Sequence, residues 1–206
     1  MGITGLFSLI KSAAPDAIRT VPVSDLESLR IGIDASINIY QWYATGGNRT
    51  DARGKPCNHL LGALSRVTVM LELGIVPVYV FDGPPPAVKA DTIADRQAAR
   101  DNGRALVIPR EAFDEVKHLI QLMGVTCVQS PGEGEAQCAW YSMADHIDAV
   151  ATEDIDCLVF GAKFMIRGLN ATAKTVTLID RAAVLAGFGL TDAEFVDLAI
   201  LMGCDY

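Results

Sequence analysis

The stretch AVATEDIDCLVFG, residues 149–161, contains three carboxylates within four positions, at Glu153, Asp154 and Asp156. The apolar residues on both sides are typical of a strand that is buried in a sheet. Unpaired carboxylates in such surroundings repel one another and lose their hydration, so folding disfavours them. Magnesium and manganese prefer oxygen ligands and would neutralise these charges. We therefore predict that this stretch contributes to a divalent-metal site.

Five further acids stand where other apolar runs end. Asp34 follows LRIGI, and Asp82 follows VPVYVF. Glu133 and Glu135 open the helix expected after GVTCVQS, and Asp205 follows the last expected helix. The carboxyl ends of parallel strands share one edge of a sheet, where ligands bind. The sequence thus directs seven carboxylates to one crevice: Asp34, Asp82, Glu133, Glu135, Asp154, Asp156 and Asp205.

Each of these acids also has a purely structural interpretation. Glu133 would complete a capping box with Ser130 in the segment SPGE, and Asp34 is suited to N-cap the following helix. Turns would suit Asp154 and Asp156, and a solvated chain end would suit Asp205. These interpretations explain the acids one at a time. They do not explain why separate strand and helix ends present acids to the same side of the sheet.

The charge balance agrees with a concentrated acidic site. The chain has 25 acidic and 17 basic residues, a net charge of −8, and is almost neutral without the seven acids. Two metal ions about 4 Å apart are commonly used for in-line displacement at phosphorus. Basic residues would have to hold the phosphate, and the segment after Asp82 supplies Lys89, Arg96, Arg100 and Arg104. The alternative for this segment is a solvated helix with acid–base pairs.

Strands and helices are expected to alternate along the chain. Five runs resemble buried strands: 29–37, 76–83, 124–130, 148–160 and 175–180. Two amphipathic helices are expected, one burying Leu60, Leu64, Val67 and Leu71, the other Phe113, Val116, Ile120 and Met123. This order predicts an α/β fold with a mainly parallel central sheet flanked by helices on both faces. Two segments rich in Gly, Pro or charge, 44–58 and 83–109, interrupt the pattern.

The cysteines and the hydropathy pattern indicate a reducing, intracellular location. The five cysteines are scattered, odd in number and contain no C-x-x-C pair. Reduced thiols fit this pattern better than disulfides or a zinc site. No apolar run is long enough to cross a bilayer, so no membrane association is expected.

Six segments together resemble the flap endonuclease family of structure-specific 5′ nucleases, which includes the xeroderma pigmentosum G nuclease. They are MGITGLFSLIK, IGIDASINIYQW, VPVYVFDGPPPAVKA, GEGEAQCAW, ATEDIDCLVFGA and LAILMGCDY. The resemblance extends over essentially the whole chain. It implies a PIN-like nuclease core that hydrolyses DNA phosphodiesters at flaps, forks or four-way junctions, as an endonuclease and 5′–3′ exonuclease. It also implies two magnesium ions, replaceable by manganese, a role in DNA replication or repair, and a nuclear location in a eukaryote.

The resemblance also implies a division of the acids between two metals. Asp34, Asp82, Glu133 and Glu135 would favour one ion, and Asp154, Asp156 and Asp205 the other, with Glu135 near both. Asp154 and Asp156 are expected to be catalytic in this sense.

The same resemblance implies DNA contacts. Lys89 and Arg96 match the basic pair that steers and stabilises the scissile phosphate. Tyr40 matches an aromatic residue on which a base stacks, and Gly2 matches a residue close to the DNA. Arg66 and Arg167 lie in matching segments and are weaker candidates for phosphate contacts. From their charge and position, Arg100 and the loop residues Arg49, Arg53 and Lys55 are expected to contact phosphates as well.

Two features depart from the family pattern. The segment between Asp82 and Glu133 is shorter than the helical arch of flap endonucleases, and a single short helix over about 87–101 is expected in its place. In this respect the chain resembles the Holliday-junction resolvase branch. The chain also stops at Tyr206, before the helix–two-turn–helix module and the clamp-binding tail. We expect one nuclease core over residues 1–206, acting on branched or flapped DNA as a monomer.

One alternative is a family member that has lost catalysis and serves as a nucleic-acid or protein interaction module. The loss of a metal ligand would identify such a member. None of the seven acids is missing from this sequence.

Overall fold

A computed structural model describes residues 2–45, 49–84 and 107–204. Seven strands in these ranges form one sheet in the order β1-β7-β6-β5-β2-β3-β4. Their bounds are β1 (Ile18–Pro22), β2 (Arg30–Asp34), β3 (Val76–Phe81), β4 (Thr126–Gln129), β5 (Ala149–Ala151), β6 (Phe164–Arg167) and β7 (Thr175–Asp180).

Five consecutive strands of the sheet run parallel to one another, namely β6, β5, β2, β3 and β4. Only β7 breaks this pattern within the described residues, since it pairs antiparallel with both β6 and β1. The prediction of a mainly parallel sheet is therefore confirmed. The carboxyl ends of β2, β3, β4, β5 and β6 share one edge, which is where the acids were expected.

Helices cover both faces of this sheet, as predicted. They are α1 (Leu6–Ala13), α2 (Ala35–Thr45), α3 (Asn58–Glu72), α4 (Arg110–Leu122), α5 (Gly134–Met143), α6 (Asp156–Val159), α7 (Arg181–Phe188) and α8 (Asp192–Met202). One core lies between the sheet and α2, α3 and α4. The other lies between the sheet and α1, α5, α6, α7 and α8.

Each of these strands contributes side chains to both cores, because successive side chains along a strand point to opposite faces of the sheet. In β5, Val150 packs with α1 and α5, whereas Ala149 and Ala151 pack with α3 and α4. In β6, Met165 and Ile166 divide in the same way. Burial on both faces explains why these strands have continuous apolar sequences.

Two strand predictions need correction, and two strands were missed. The run 148–160 is a strand only over Ala149–Ala151, and its second apolar half forms α6. The run 29–37 leaves the sheet after Asp34, and α2 begins at Ala35. Strands β1 and β6 were not predicted, because β1 is an edge strand carrying Arg19 and ending in Pro22, and β6 has only four residues.

Two helix predictions also differ from the structure. Helix α3 buries Ala63, Val67 and Met70, whereas Leu64 and Leu71 are exposed. The N-cap of α5 is Glu133 and not Ser130, whose hydroxyl instead donates to the Glu133 carbonyl. The predicted burial of Val116 and Ile120 in α4 is correct.

The predicted short helix over about 87–101 falls within residues 85–106, which lie outside the described residues. Within the described ranges, no helix has the length and apolar character needed to cross a membrane.

Gly32 leaves room for the side chain of Ile147 on β2. A Cβ atom at this position would stand 2.4 Å from Ile147 Cδ1, whereas its distance of 3.4 Å from Cys138 Sγ of α5 is an ordinary van der Waals contact. The packing of Ile147 against the sheet therefore depends on the absence of a side chain here.

We expect Gly32→Ala to lower the free energy of unfolding by about 1–3 kcal/mol, because Ile147 must move to admit the methyl group. Urea denaturation would measure the loss. Gly132→Ala is the matched control, since a Cβ there meets no atom within 4 Å. Equal stability of the two variants would contradict this account of the packing.

Candidate active site

Two neighbouring strands carry the first pair of acids. Asp34 is the last residue of β2, and Asp82 directly follows β3. Asp34 is only 6% exposed, and its Oδ1 accepts hydrogen bonds from Ser36 N at 2.7 Å and Ile37 N at 3.3 Å. It therefore N-caps α2, so the structural interpretation of this acid is correct. The interpretation does not exclude a ligand role, because it uses one carboxylate oxygen.

The start of α5, the second helix of the site, is held against Asp82 by a hydrogen bond from a backbone N–H group. Gly134 N donates to Asp82 Oδ1 at 2.6 Å, which fixes the start of α5 against the end of β3. Glu133 occupies the N-cap position and Glu135 the first turn of this helix. Both acids consequently lie at the same edge as Asp34 and Asp82, as the sequence predicted.

The third pair of acids follows β5 and contacts the chain's N-terminus. Asp156, 7% exposed, accepts a hydrogen bond from Ile3 N at its Oδ1, at 3.0 Å. Gly2 has a φ of 100°, and a Cβ there would lie 2.0 Å from Asp154 Oδ1. Only glycine adopts this conformation readily. The N-terminal segment thus forms part of the site, which explains why Gly2 is required there.

The six described acids form one electrostatic cluster. Burial, followed by the charge of Asp82 and more weakly that of Asp154, raises the pKa of Asp34 to about 7. Burial also raises the pKa of Glu135 well above its ordinary value, and the charges of four acids add to this effect: Asp154, Asp34, Asp156 and Glu133. Acids from three separate strand ends are therefore close enough to oppose one another's ionisation.

Glu153 is not a member of this cluster. Its carboxylate accepts a hydrogen bond from Gly168 N at 2.7 Å and pairs with the Arg167 guanidinium at 3.2 Å. Of the three acids in the stretch 149–161, Asp154 and Asp156 therefore belong to the cluster, whereas Glu153 binds the backbone at Gly168 and the side chain of Arg167.

The donor chemistry of the cluster suits a hard divalent cation, because all its ligands would be carboxylate oxygens. Glu135 Oε1 is buried and has no hydrogen-bond partner, as expected of an atom that a cation would satisfy. Nevertheless, no three His, Cys, Asp or Glu side chains in residues 2–45, 49–84 and 107–204 have an arrangement that could hold a metal as they stand. Asp205, the seventh predicted ligand, lies outside these ranges.

The predicted DNA contacts within the described residues fall on different parts of the surface. Arg66 lies in a cleft of about 200 Å³ that Asp34, Thr152 and Asn170 also line. Burial lowers the pKa of its guanidinium, and its Nε has no hydrogen-bond partner. A partly buried cation beside the acids is a natural contact for an anionic ligand.

The remaining predicted contacts are more exposed or already paired. Lys55 pairs with Glu115 of α4, and Arg167 lies 4.2 Å from the Phe7 ring centroid as well as beside Glu153. Tyr40 of α2 is 36% exposed and lines a cavity together with Asp82. Arg49 and Arg53 belong to the exposed loop before α3. Three predicted contacts, Lys89, Arg96 and Arg100, lie outside the described residues.

The groups that hold the acids in place were not predicted from the sequence. Ile3 contributes only its backbone N–H, and Thr152 accepts a hydrogen bond from Asp154 N at its hydroxyl. Gln129 Nε2 donates to the Asp82 carbonyl. A polar residue at the last position of β4 was a usable signal for Gln129, whereas a backbone amide leaves no trace in the sequence.

The architecture is similar to that of solved nucleases. The catalytic core of Rad2 in complex with DNA substrate matches with a TM-score of 0.82 and 30% identity, over 100% of this chain and 63% of that chain. Flap endonuclease-1 from Methanococcus jannaschii matches with a TM-score of 0.74 and 26% identity, over 92% of this chain and 68% of that chain. The fold is therefore the PIN-like nuclease fold.

Sequence profiles give the family. The XPG N-terminal domain matches residues 1–103, and the XPG I-region matches residues 124–205. The flap endonuclease 1 of Glossina morsitans morsitans is 39% identical over 234 aligned positions, which cover the whole of this chain and 61% of that protein. This chain belongs to the flap endonuclease/XPG family.

The alignment with the Glossina protein also shows a difference in length. It extends over 234 positions, although this chain has 206 residues, so the relative has residues without a counterpart here. This chain spans about 60% of the length of the curated relatives that it matches.

The acid cluster predicts the pH dependence of the metal-free protein. A pKa that is higher in the folded state than in the unfolded state means that folding retains protons between the two values. Stability should therefore fall as the pH rises from about 4 to about 7, by on the order of 3–4 kcal/mol for Asp34 if its pKa is about 7. Thermal denaturation in a chelator at several pH values would measure this loss.

Two variants test whether the acid cluster causes this dependence of stability on pH. Glu135→Gln should flatten the pH profile and raise the melting temperature above that of the wild type near pH 8. Glu153→Gln is the matched control and should leave the profile unchanged, since its carboxylate pairs with Arg167 outside the cluster. A metal-free protein that becomes steadily more stable from about pH 4 to about pH 7 would contradict the electrostatic coupling.

Proposed function

We propose that this chain is a magnesium-dependent, structure-specific DNA endonuclease that hydrolyses phosphodiesters near junctions between single and double strands. One observation carries the proposal, namely the cluster of acids that three strand ends and the start of α5 bring together at one edge. The family supports the same conclusion, since the similar Rad2 core was solved with a DNA substrate. Replication or repair intermediates inside the cell, in the nucleus of a eukaryote, are the corresponding substrates.

The proposed metal ligands are the six described acids together with Asp205. When bound, two magnesium ions would activate water and stabilise the leaving oxygen. Backbone groups of the chain orient the proposed ligands. Backbone amides hold one oxygen each of Asp34 and Asp82 and leave the second oxygen to a ligand. Deprotonation of Asp34 and Glu135, which their raised pKa values oppose, would accompany cation binding.

The proposed DNA contacts surround the acids. Arg66 is proposed to bind a phosphate from its cleft, and Tyr40 to stack on a base. Lys89 and Arg96 are proposed to steer the scissile phosphate, with Arg100 as a further cation. Phosphate contacts to the loop are proposed for Arg49, Arg53 and Lys55, and a weaker one for Arg167 because it already pairs with Glu153. We propose that the chain acts as a monomer.

The second candidate is a non-catalytic interaction module that binds DNA or protein through the same fold. The presence of all seven acids in the sequence, and the coupling of six of them, favour the nuclease. A module without catalysis has no need for repelling carboxylates that oppose folding at neutral pH.

A side-by-side digest of labelled flap, bubble, fork and four-way-junction DNA in magnesium tests the proposed activity. Asp154→Asn and Asp156→Asn should each slow cleavage by on the order of 1,000-fold or more, because each removes a charged ligand worth several kcal/mol in the transition state. Neither should lower the metal-free melting temperature appreciably, since repulsion within the cluster is relieved.

Asp145→Asn provides the matched control. Asp145 is an exposed acid that pairs with Lys163 beside the amino end of β6, away from the cluster. Its φ of 58° is readily adopted by asparagine. The nuclease proposal fails if the wild type cleaves none of the four substrates, or if the Asp154 variant retains full activity.

The contact between the N-terminus and the acids gives a second activity prediction. Gly2→Ala places a methyl group 2.0 Å from Asp154 Oδ1 in a backbone conformation that alanine rarely adopts. We expect cleavage to slow on the order of 10- to 100-fold, because Asp154 or the N-terminal segment must shift to admit the methyl group. The melting temperature should change little, because Gly2 itself is not part of the core, which begins with Ile3 and Leu6. Single-turnover kinetics measures the first effect and thermal denaturation the second. Unchanged kinetics would remove Gly2 from the site.

A further inference from the structure

A cavity of about 780 Å³ opens beside Asp82, between the ends of β3 and β4 and the helices α2 and α4. It shares Asp82 with the acid cluster but extends away from it, towards α4. Its volume lies within the range of pockets that bind small organic ligands, and is sufficient for a nucleotide. No residue of α4 was assigned a functional role by the sequence motifs.

One face of α4 supplies the wall of this cavity. Arg110, Phe113 and Lys117 follow one another at spacings of three and four residues, so they lie along one side of the helix. All three line the cavity, together with Asp114, which adds one opposing charge. An aromatic ring between two cations is a combination that suits a nucleotide, whose base is flat and whose phosphate is anionic.

Aromatic contact extends this wall across to α2. The ring centroids of Phe113 and Tyr40 are 6.0 Å apart with an interplanar angle of 72°, an edge-to-face arrangement. The two rings therefore present differently oriented surfaces to the same cavity. A base stacked on one ring would contact the other ring at its edge.

A chain of contacts connects the cation of α4 to the acid cluster. Lys117 Nζ donates to Gln129 Oε1 at 2.9 Å and lies 5.3 Å from the Phe81 ring centroid. Gln129 Nε2 in turn donates to the backbone carbonyl of Asp82. Lys117 is thereby held at a fixed place relative to the strand end that carries Asp82.

We infer that Phe113, Lys117 and Arg110 of α4 bind, in this cavity, the unpaired DNA nucleotide whose base is proposed to stack on Tyr40. Phe113, with Tyr40, contacts the base, and Lys117 and Arg110 contact its phosphate. Stacking on an aromatic face tolerates every base, so the cavity recognises an unpaired nucleotide without reading sequence. This inference rests on the proposed nuclease function and assigns to Phe113, Lys117 and Arg110 the selection of single-stranded DNA at that site.

The base contact is tested by combining a change in the protein with a change in the DNA. Single-turnover cleavage is measured on flaps that carry an abasic nucleotide at each of the first three unpaired positions in turn. One position should slow the wild type on the order of tenfold. Phe113→Leu should be slowed by a similar factor on the normal flap, and the abasic nucleotide should then have little further effect.

Two further variants separate stacking from folding. Phe113→Tyr should cleave like the wild type and keep its sensitivity to the abasic position, because tyrosine retains the aromatic face. Trp140→Leu, which removes an exposed aromatic residue of α5 beside His146, should behave as the wild type. If Phe113→Leu melts at a lower temperature, the comparison between normal and abasic flaps within that variant still decides the question.

The phosphate contact is tested by fluorescence anisotropy with a labelled oligothymidylate. Lys117→Gln should weaken binding several-fold and Asp114→Asn should strengthen it, since the two side chains carry opposite charges in one cavity. Lys163→Gln, at the amino end of β6, is the control and should leave the affinity unchanged.

The inference is overturned if abasic effects are equally large in the wild type and Phe113→Leu, or if Lys117→Gln and Lys163→Gln bind alike. Either result leaves the nuclease proposal intact when the wild type still cleaves flaps. If the wild type cleaves no DNA, the nuclease proposal fails. The anisotropy measurements then still show whether the cavity binds single-stranded DNA.

Discussion

The repulsion among the buried acids is the constraint that organises this edge of the molecule. The chain places six described carboxylates within reach of one another and shields several of them from water. Backbone N–H groups of Ser36, Gly134 and Ile3 each donate to one of them. These hydrogen bonds lower the energy of the charged forms, yet burial and mutual repulsion still raise the pKa of Asp34 to about 7. The protein alone therefore leaves the cluster incompletely compensated, which is the property expected of a site that a cation completes.

The elements around the edge follow from the need to supply those donors. Helices α2 and α5 both begin at the carboxyl edge of the sheet, so their first N–H groups point towards the acids. The positive ends of the two helix dipoles also favour the charged forms of these acids. A parallel arrangement of strands makes this geometry possible, because every crossover helix then starts at the same edge. Gly134 lets α5 begin this close to the sheet, since a Cβ atom there would lie 3.1 Å from Asp82 Oδ1 and 3.2 Å from the Val80 carbonyl oxygen.

The sequence predicted the parts of the fold that rest on burial of whole strands. VPVYVF and LRIGI are continuous apolar runs because both faces of β3 and β2 are covered, and the acids after them are correctly placed. The prediction failed where apolar character does not distinguish a strand from a short helix, as in 148–160. It also failed for part of the face of α3, where Ala63 and Met70 are buried and Leu64 and Leu71 are exposed. The coupling of the acids was predictable from spacing, but the backbone amides of Gly134 and Ile3 that orient them were not.

In the proposed function, a chain with a net charge of −8 needs cations near the acids to attract DNA. The described structure has this arrangement on two sides of the cluster. Arg66 lies in the cleft beside Asp34, and Lys117 lies in the cavity beside Asp82. The Arg66 cleft is lined by Thr152 after β5 and Ile166 of β6, and the Lys117 cavity by Gln129 of β4, so the two cations lie towards opposite ends of the row of acids. In the proposed function, a DNA strand lying along this edge would meet a cation, the acids and a second cation in turn. Its phosphates would thus be drawn to both ends of the acid cluster.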